Sequence, residues 1–178
     1  MERLQRALFG GLAALAVAAA SAGAEVEVAG ARTHTEVAAI EDAVPVLDAW
    51  IDRFAEYPRA RDRPLRIALV PAMPRASATS SAAHYGPSTR GAYDAETATI
   101  YLLRPWFADL PYDRSILLHE LVHHRQVQAR HWYCAQAMEW DAYKLQEQFL
   151  DQAGLESGIY WLAVALESSC AVRDHHPD

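Results

Sequence analysis

The chain has 178 residues, of which 52% are hydrophobic, and this length is sufficient for one domain with a hydrophobic core. Its 16 basic and 23 acidic residues give a formal net charge of −7 with histidine neutral. A net negative charge argues against nucleic acid and against anionic membrane surfaces as partners, and it leaves the class of substrate open.

The first 24 residues are predicted to be a secretory signal peptide. Two arginines precede an apolar run over residues 7–20, and the small residues 22–24 form a candidate cleavage site. The run is short and rich in alanine for a membrane span, so we expect cleavage rather than a retained anchor. The prediction is therefore a secreted or periplasmic protein, with a signal peptide at 1–24, one domain at 25–178 and no stable membrane span after cleavage.

The elements of the first half are predicted from hydrophobic spacing. Apolar residues at helical intervals predict a helix over 35–57, which Pro45 should begin or kink. Weak alternation predicts a strand over 65–70. Alternating residues on both sides of a polar turn at 94–97 predict a β-hairpin over 91–103.

A loop is predicted between the strand and the hairpin, over residues 71–88. Serine, threonine and alanine dominate this segment and leave it without a packing face. His84 lies within it, and a solvated side chain is the simpler expectation than a substrate or metal contact.

The segment His-Glu-Leu-Val-His at 119–123 lies on a predicted helix for which Asp113 is a candidate N-cap. Because His119 and His123 are four residues apart, they lie on one helix face and can reach one metal ion. Glu120 is carried towards the open side of the metal, where a carboxylate can take a proton from an activated water. Zn2+ is the expected ion, since it favours imidazole and carboxylate ligands.

A third ligand is needed to distinguish this pattern from a chance match. If the metal helix ends six residues after His123 and a second helix begins near residue 133, Glu139 and His123 both lie about 9 Å from the connecting turn. An antiparallel helix pair then brings Glu139 level with His123. Asp141 points about 200° away on the same helix and Glu147 lies about two turns further, so Glu139 is the predicted ligand.

These residues resemble the gluzincin branch of zinc metallopeptidases, whose HExxH motif is followed by a glutamate ligand. The matching segments are 119–123 and Glu-Trp-Asp-Ala-Tyr at 139–143. The resemblance implies that both histidines and Glu139 hold zinc and that Glu120 is the general base. The short spacing between the two segments implies a compact version, of the secreted bacterial type.

The expected fold is α+β and zincin-like, with a small, mostly antiparallel sheet packed against the HExxH helix and about three further helices. The resemblance implies that the strand at 99–103 forms the upper edge of the cleft. It also implies that a peptide substrate could pair with this strand in extended form.

Tyr143 occupies the position, four residues after Glu139, where several such families have an aspartate. It is a candidate catalytic residue that could donate to the oxyanion or to a ligand, although packing beside the site is an equal alternative. His124 and Asp141 are weaker candidates for the acceptor that a ligand histidine usually needs for its other ring nitrogen.

Cys134 and Cys170 are the two cysteines of the chain. In an exported protein, a pair of cysteines is expected to be bridged rather than free, the alternative being two separate buried thiols. Here the bridge would connect the helix of Glu139 to a last helix predicted over 157–172. The polar tail at 174–178 is expected to fray.

The function predicted from these features is an exported zinc metallopeptidase that hydrolyses peptide bonds in peptide or protein substrates by a zinc-activated water. Two alternatives remain open. One is an exported zinc-binding scaffold without activity, against which Glu120 argues, because a purely structural site does not need that carboxylate. The other is an amidase acting on cell-wall peptides, which the motif does not separate from a protease.

Overall fold

The computed structural model describes residues 26–60, 63–74 and 89–170. This part of the chain combines one four-stranded sheet with four α-helices and is therefore α+β. The strands are β1 (Val26–Ala29), β2 (Leu65–Val70), β3 (Gly91–Asp94) and β4 (Thr99–Leu103). The helices are α1 (His34–Phe54), α2 (Pro111–Ala129), α3 (Glu139–Gln152) and α4 (Trp161–Glu167), and a 3-10 helix at Ala135–Met138 directly precedes α3.

Three sequence predictions concern segments outside the described residues. They are the signal peptide at 1–24, most of the loop at 71–88 including His84, and the tail at 174–178. These stay predictions. No helix in the described part of the chain is long and apolar enough to cross a membrane.

The sheet is mixed, with strand order β1-β2-β4-β3. β2 lies parallel to both β1 and β4, and only the β3–β4 hairpin is antiparallel. The expectation of a mostly antiparallel sheet is therefore wrong. The physical reason is that α1 connects β1 to β2 as a crossover, and a crossover returns the chain to the same end of the sheet. The predicted strand at 65–70 and the predicted hairpin are confirmed.

The hydrophobic core lies between α1, the sheet and α2. α1 contributes Ile40, Leu47 and Ile51, none of which is exposed to solvent. The helix continues through Pro45 on its exposed side, so the prediction that Pro45 begins the main helical segment is wrong. Helix α2 inserts Leu118 and its apolar neighbours into the same cluster, which fixes the position of the helix that carries the histidines.

Helix α2 begins at Pro111, two residues before the predicted cap. Proline suits this position, because the first helical residues need no N–H donor. Asp113 instead lies in the first turn, where its carboxylate accepts a hydrogen bond from the Phe107 N–H at 2.8 Å. The prediction of Asp113 as N-cap is therefore wrong. Its carboxylate fixes the connection that leads into the helix.

The segment after α2 differs from the prediction in its helix boundaries. α3 begins at Glu139 rather than near residue 133, because the 3-10 helix occupies the preceding residues. α3 ends at Gln152, and Gly154 follows with a φ of +72°, next to a hydrogen bond from the Leu155 N–H to the Leu150 carbonyl. The last helix is shorter than predicted and covers only α4.

The disulfide between Cys134 and Cys170 is confirmed. Cys134 directly precedes the 3-10 helix, and Cys170 lies three residues beyond the end of α4. The bridge therefore ties the C-terminal side of the described chain to the segment that leads into Glu139.

Candidate metal centre

Three side chains predicted as ligands come together between α2 and α3. His119 and His123 lie one turn apart on α2, and their Nε2 atoms are 3.0 Å apart. Glu139, the first residue of α3, places Oε2 at 3.1 Å from His119 Nε2 and Oε1 at 3.4 Å from His123 Nε2. This group of two imidazoles and one carboxylate could hold a metal ion.

Local structure explains why Glu139 reaches the histidines although its helix begins later than predicted. The Gln126 side-chain amide on α2 donates to the Met138 carbonyl at 3.0 Å. Met138 immediately precedes Glu139, so this bond holds the start of α3 against α2. A carboxylate in the first turn of a helix also interacts favourably with the positive end of the helix dipole.

The separations between the ligand atoms suit zinc. Four ligands in a tetrahedron at about 2.0–2.2 Å from Zn²⁺ lie roughly 3.3–3.6 Å from one another. The two Nε2 atoms are 3.0 Å apart, and they lie 3.1 and 3.4 Å from the two carboxylate oxygens of Glu139, which is close to this range. Imidazole nitrogen and carboxylate oxygen are also donors that zinc accepts readily. The residues present therefore fit a zinc ion.

The electrostatics of the cluster favour a positive charge between the ligands. Burial alone would lower the pKa of His123, but the charge and hydrogen bonding of Glu139 outweigh it and raise this pKa to about 9. Burial alone would likewise raise the pKa of Glu139, yet His123 and His119 hold it well below its usual range. Both shifts have the same cause, which is a carboxylate buried against two imidazoles.

Glu120 is buried beside this cluster. Burial raises the pKa of its carboxyl group, and Glu139 adds to the rise while His119 and His123 oppose it. Its carboxylate forms no hydrogen bond to another described residue, and β3 approaches it closely at Gly91. A buried carboxylate of this kind is suited to accepting a proton.

Tyr143 lies one turn after Glu139 and packs against His119, with ring centroids 4.6 Å apart and the rings inclined at 67°. Burial raises the pKa of the Tyr143 hydroxyl, and the charges of Glu139 and Glu120 raise it further. The hydroxyl forms no hydrogen bond within the described residues. The raised pKa keeps this hydroxyl protonated at neutral pH.

The other acidic and imidazole candidates do not contribute to the cluster. His124 Nδ1 lies 3.0 Å from the Tyr93 hydroxyl, and burial together with nearby arginines lowers the pKa of His124 to about 4. Asp141 accepts a hydrogen bond from the Tyr57 hydroxyl at 2.6 Å. Glu147 accepts one from Trp161 Nε1 at 2.9 Å.

The acceptors for the ligand histidines are two glutamines that sequence reasoning missed. His123 Nδ1 lies 2.9 Å from Gln126 Oε1, and His119 Nδ1 lies 3.0 Å from Gln146 Oε1. Their spacing was the available signal: Gln126 follows His123 by three residues, and Gln146 follows Glu139 by seven, so each lies on the face of its helix that carries a ligand. The expectation that His124 or Asp141 plays this part is wrong.

The strand beside Glu120 is β3, not β4 as expected. β4 pairs with β2 on one side and with β3 on the other, so neither of its edges can receive a further strand. Within the described residues β3 pairs with β4 alone. The interpretation of residues 99–103 as the edge of the cleft is therefore wrong.

The fold and the cluster define the class of protein: a small α+β protein with a candidate metal centre made of two histidines and one glutamate. A family model described as a domain of unknown function (DUF6647) matches residues 36–178, and the chain belongs to this family. No curated protein matches the chain. No solved structure matches it either.

Proposed function

We propose that the protein is an exported, zinc-dependent metallopeptidase of the gluzincin type. The observation that carries this proposal is the convergence of His119 Nε2, His123 Nε2 and the Glu139 carboxylate, with Glu120 buried beside them. A site that only held a structural ion would have no use for the carboxylate of Glu120, which is buried beside the ligands. In the proposed site, three residues bind zinc and Glu120 acts as the general base.

When bound, zinc would supply Lewis-acid chemistry by lowering the pKa of water and polarising the scissile carbonyl. Glu120 takes a proton from the attacking water, whose oxygen forms a bond to the carbonyl carbon. The same carboxyl group then passes this proton to the amine nitrogen as the carbon–nitrogen bond breaks. Its raised pKa makes it a stronger base than a solvated glutamate.

Tyr143 is the proposed donor to the carbonyl oxygen of the substrate as negative charge develops there. Its raised pKa keeps the hydroxyl protonated at neutral pH, which this role requires. Its ring contact with His119 holds it beside the ligands. In a Tyr143→Phe variant we expect zinc to be retained and kcat to fall by about 10²-fold, the scale of one lost donor of this kind.

The proposed substrate is an extended peptide. β3 begins at Gly91, beside Glu120, and has one partner strand within the described residues. A peptide that added to the other edge of β3 would receive main-chain hydrogen bonds and would run past Glu120. This geometry supports a peptide backbone as the ligand, because an isolated small molecule would not need a strand edge.

Export is part of the proposal. The Cys134–Cys170 disulfide is compatible with an oxidising compartment, where such bonds persist. The proposed mature protein is the domain at 25–178, released from the signal peptide at 1–24. A mature chain that begins at Glu25 in N-terminal sequencing would support export, and one that retains Met1 in the cytoplasm would contradict it.

The test of the activity is a cleavage assay with the mature protein, an extended peptide library and purified cell-wall peptides. We expect zinc-dependent cleavage of library peptides, and loss of cleavage in Glu120→Gln. Cleavage of cell-wall peptides alone would replace the protease by an amidase. Zinc binding without turnover of any peptide, amide or ester would leave the scaffold alternative.

A further inference from the structure

The orientation of the ligand histidine His123 depends on Gln126. The Met138 carbonyl can only accept a hydrogen bond, so the group that faces it at 3.0 Å must be the NH₂ of Gln126. The Gln126 carbonyl oxygen therefore faces His123 Nδ1 at 2.9 Å, and Nδ1 must carry the hydrogen. The lone pair of His123 Nε2 is consequently directed at the centre of the cluster.

His119 is fixed by a second chain of the same kind. Ser115 Oγ donates to the Tyr112 carbonyl at 2.7 Å and accepts from the Gln146 NH₂ at 3.1 Å. This leaves Gln146 Oε1 as the acceptor for His119 Nδ1 at 3.0 Å. The first chain ends directly at the Met138 carbonyl, which can only accept, and in the second the Ser115 hydroxyl donates to the Tyr112 carbonyl and so accepts from Gln146. In this arrangement both histidines have the tautomer that directs Nε2 towards a metal.

Both acceptors are neutral amides. A carboxylate in this position would make an imidazole ligand more basic and would add a negative charge close to the metal. An amide oxygen is a weaker acceptor and adds no net charge. With Glu139 as the only charged ligand, the centre then remains more electron-poor than it would be with carboxylate partners.

We propose that Gln126 and Gln146 are positioning residues that fix the tautomers of the two ligand histidines and, because they are uncharged, hold zinc less tightly than carboxylates would. This inference rests on the proposed metal centre. It concerns how the ligands are held rather than which residues they are.

The two glutamines differ in what else depends on them. Gln126 is fully buried and also supports the start of α3 through Met138. A carboxylate at position 126 would face the Met138 carbonyl without a proton to donate. Replacing Gln126 by glutamate would therefore disturb the start of α3 as well as the charge at the site. Gln146 faces a serine hydroxyl, which can rotate and donate to a carboxylate. Gln146 is therefore the position where charge can be tested.

The experiment measures the zinc dissociation constant by competition with a chromogenic chelator. Gln146→Met and Gln126→Met remove an acceptor, and we expect each to weaken zinc binding by about 10–100-fold. Gln146→Glu restores the acceptor with a charge, and we expect zinc binding tighter than wild type by about tenfold. Gln128→Met is the matched control, because Gln128 is an exposed glutamine on α2 whose side-chain hydrogen bond, within the described residues, goes to the His124 carbonyl at 3.1 Å.

Two further measurements separate a positioning role from a structural one. The unfolding of each metal-free variant is measured first. If Gln146 had only a structural role, Gln146→Met and Gln146→Glu would lose stability equally, and their zinc affinities would not change in opposite directions. The absorption spectrum of the Co²⁺ form reports ligand geometry independently of activity.

A wild type that binds no zinc would overturn the proposed function itself. A wild type that binds zinc, with Gln146 variants equal to Gln128→Met, would overturn this inference alone.

Discussion

Gly91 lies so close to Glu120 that a Cβ atom at Gly91 would stand 2.7 Å from Glu120 Oε1 and 2.6 Å from Ile116 Cγ2. Such distances are shorter than carbon atoms tolerate in folded proteins. The absence of a side chain at the start of β3 therefore leaves the space in which the Glu120 carboxylate sits.

Gly91→Ala should displace Glu120 without removing a ligand. We expect zinc stoichiometry to be unchanged and kcat/KM to fall by about 10²-fold, the cost of misplacing a reacting group by roughly 1 Å. Gly154→Ala is the matched control: its φ of +72° makes alanine strained, which costs about 1 kcal/mol, but the new Cβ meets no atom within 4 Å. A Gly91→Ala enzyme as active as the control would contradict the proposed position of Glu120.

Arg125 should be important for stability because it joins α2 to α1 from a fully buried position. Its guanidinium donates to Asp48 at 2.5 Å, to Asp52 at 2.8 Å and to the Tyr57 carbonyl at 3.1 Å. We expect Arg125→Met to lower the free energy of unfolding by about 2–4 kcal/mol, since it removes the donor for these groups. Arg59→Met removes an exposed pair with Asp52 and should cost at most about 1 kcal/mol. Equal losses in denaturant titrations would contradict this.

The disulfide should support both the fold and the ligand set. Replacing Cys134 and Cys170 together by serine opens a loop with a sequence separation of 36 residues, for which chain entropy gives about 3–4 kcal/mol. Because Cys134 leads into the segment that ends at Glu139, we also expect weaker zinc binding. Chemical denaturation and chelator competition measure the two effects. Unchanged stability in the double variant would show that the bridge constrains little.

Acid should weaken one contact between α1 and the end of β4. The Arg104 side chain, followed by the Arg32 backbone N–H, lowers the pKa of Glu36 from 4.5 to about 2. The stabilisation is therefore complete above pH 4.5 and is lost as the pH falls through 4.5 towards 2. Glu36→Gln and Arg104→Met should each make stability less dependent on pH in this window. A slope identical to wild type in urea titrations at pH 5, 4 and 3 would contradict the assignment.

Parts of the fold could be predicted from local pattern alone. The apolar stripe of α1 and the alternation in β2 follow the periods of a helix and a strand, and the hairpin has its turn residues within ten positions of both strands. Strand order depends on contacts between distant segments, which local spacing does not encode. The parallel pairs of β2 with β1 and β4 were therefore missed.

The candidate site was predictable to the extent that it depends on helix geometry. His119 and His123 are neighbours on any helix, so their proximity follows from their spacing. Glu139 was correctly identified as the residue that reaches both histidines, although its helix begins at residue 139 rather than near residue 133. Gln126 and Gln146 were missed, since glutamine is common on helix surfaces and only the tertiary contacts reveal these two as acceptors.

The proposed cluster consists of three ligands and one base, and replacing a ligand should have a different effect from replacing the base. His119→Ala, His123→Ala and Glu139→Ala each remove a ligand, so zinc should be lost or held weakly. Glu120→Gln keeps all ligands and removes only the proton acceptor. Asp141→Ala is the matched control and should keep zinc, because its carboxylate bonds Tyr57 instead.

Two quantities distinguish these effects in Glu120→Gln and Glu139→Ala. One is the zinc content, determined by elemental analysis, and the other is the rate of peptide hydrolysis of the same samples. We expect Glu120→Gln to hold zinc at wild-type stoichiometry while its hydrolysis falls by about 10²–10⁴-fold. We expect Glu139→Ala to lose zinc and activity together. Full zinc in Glu139→Ala, or full activity in Glu120→Gln, would contradict the proposed roles of these two residues.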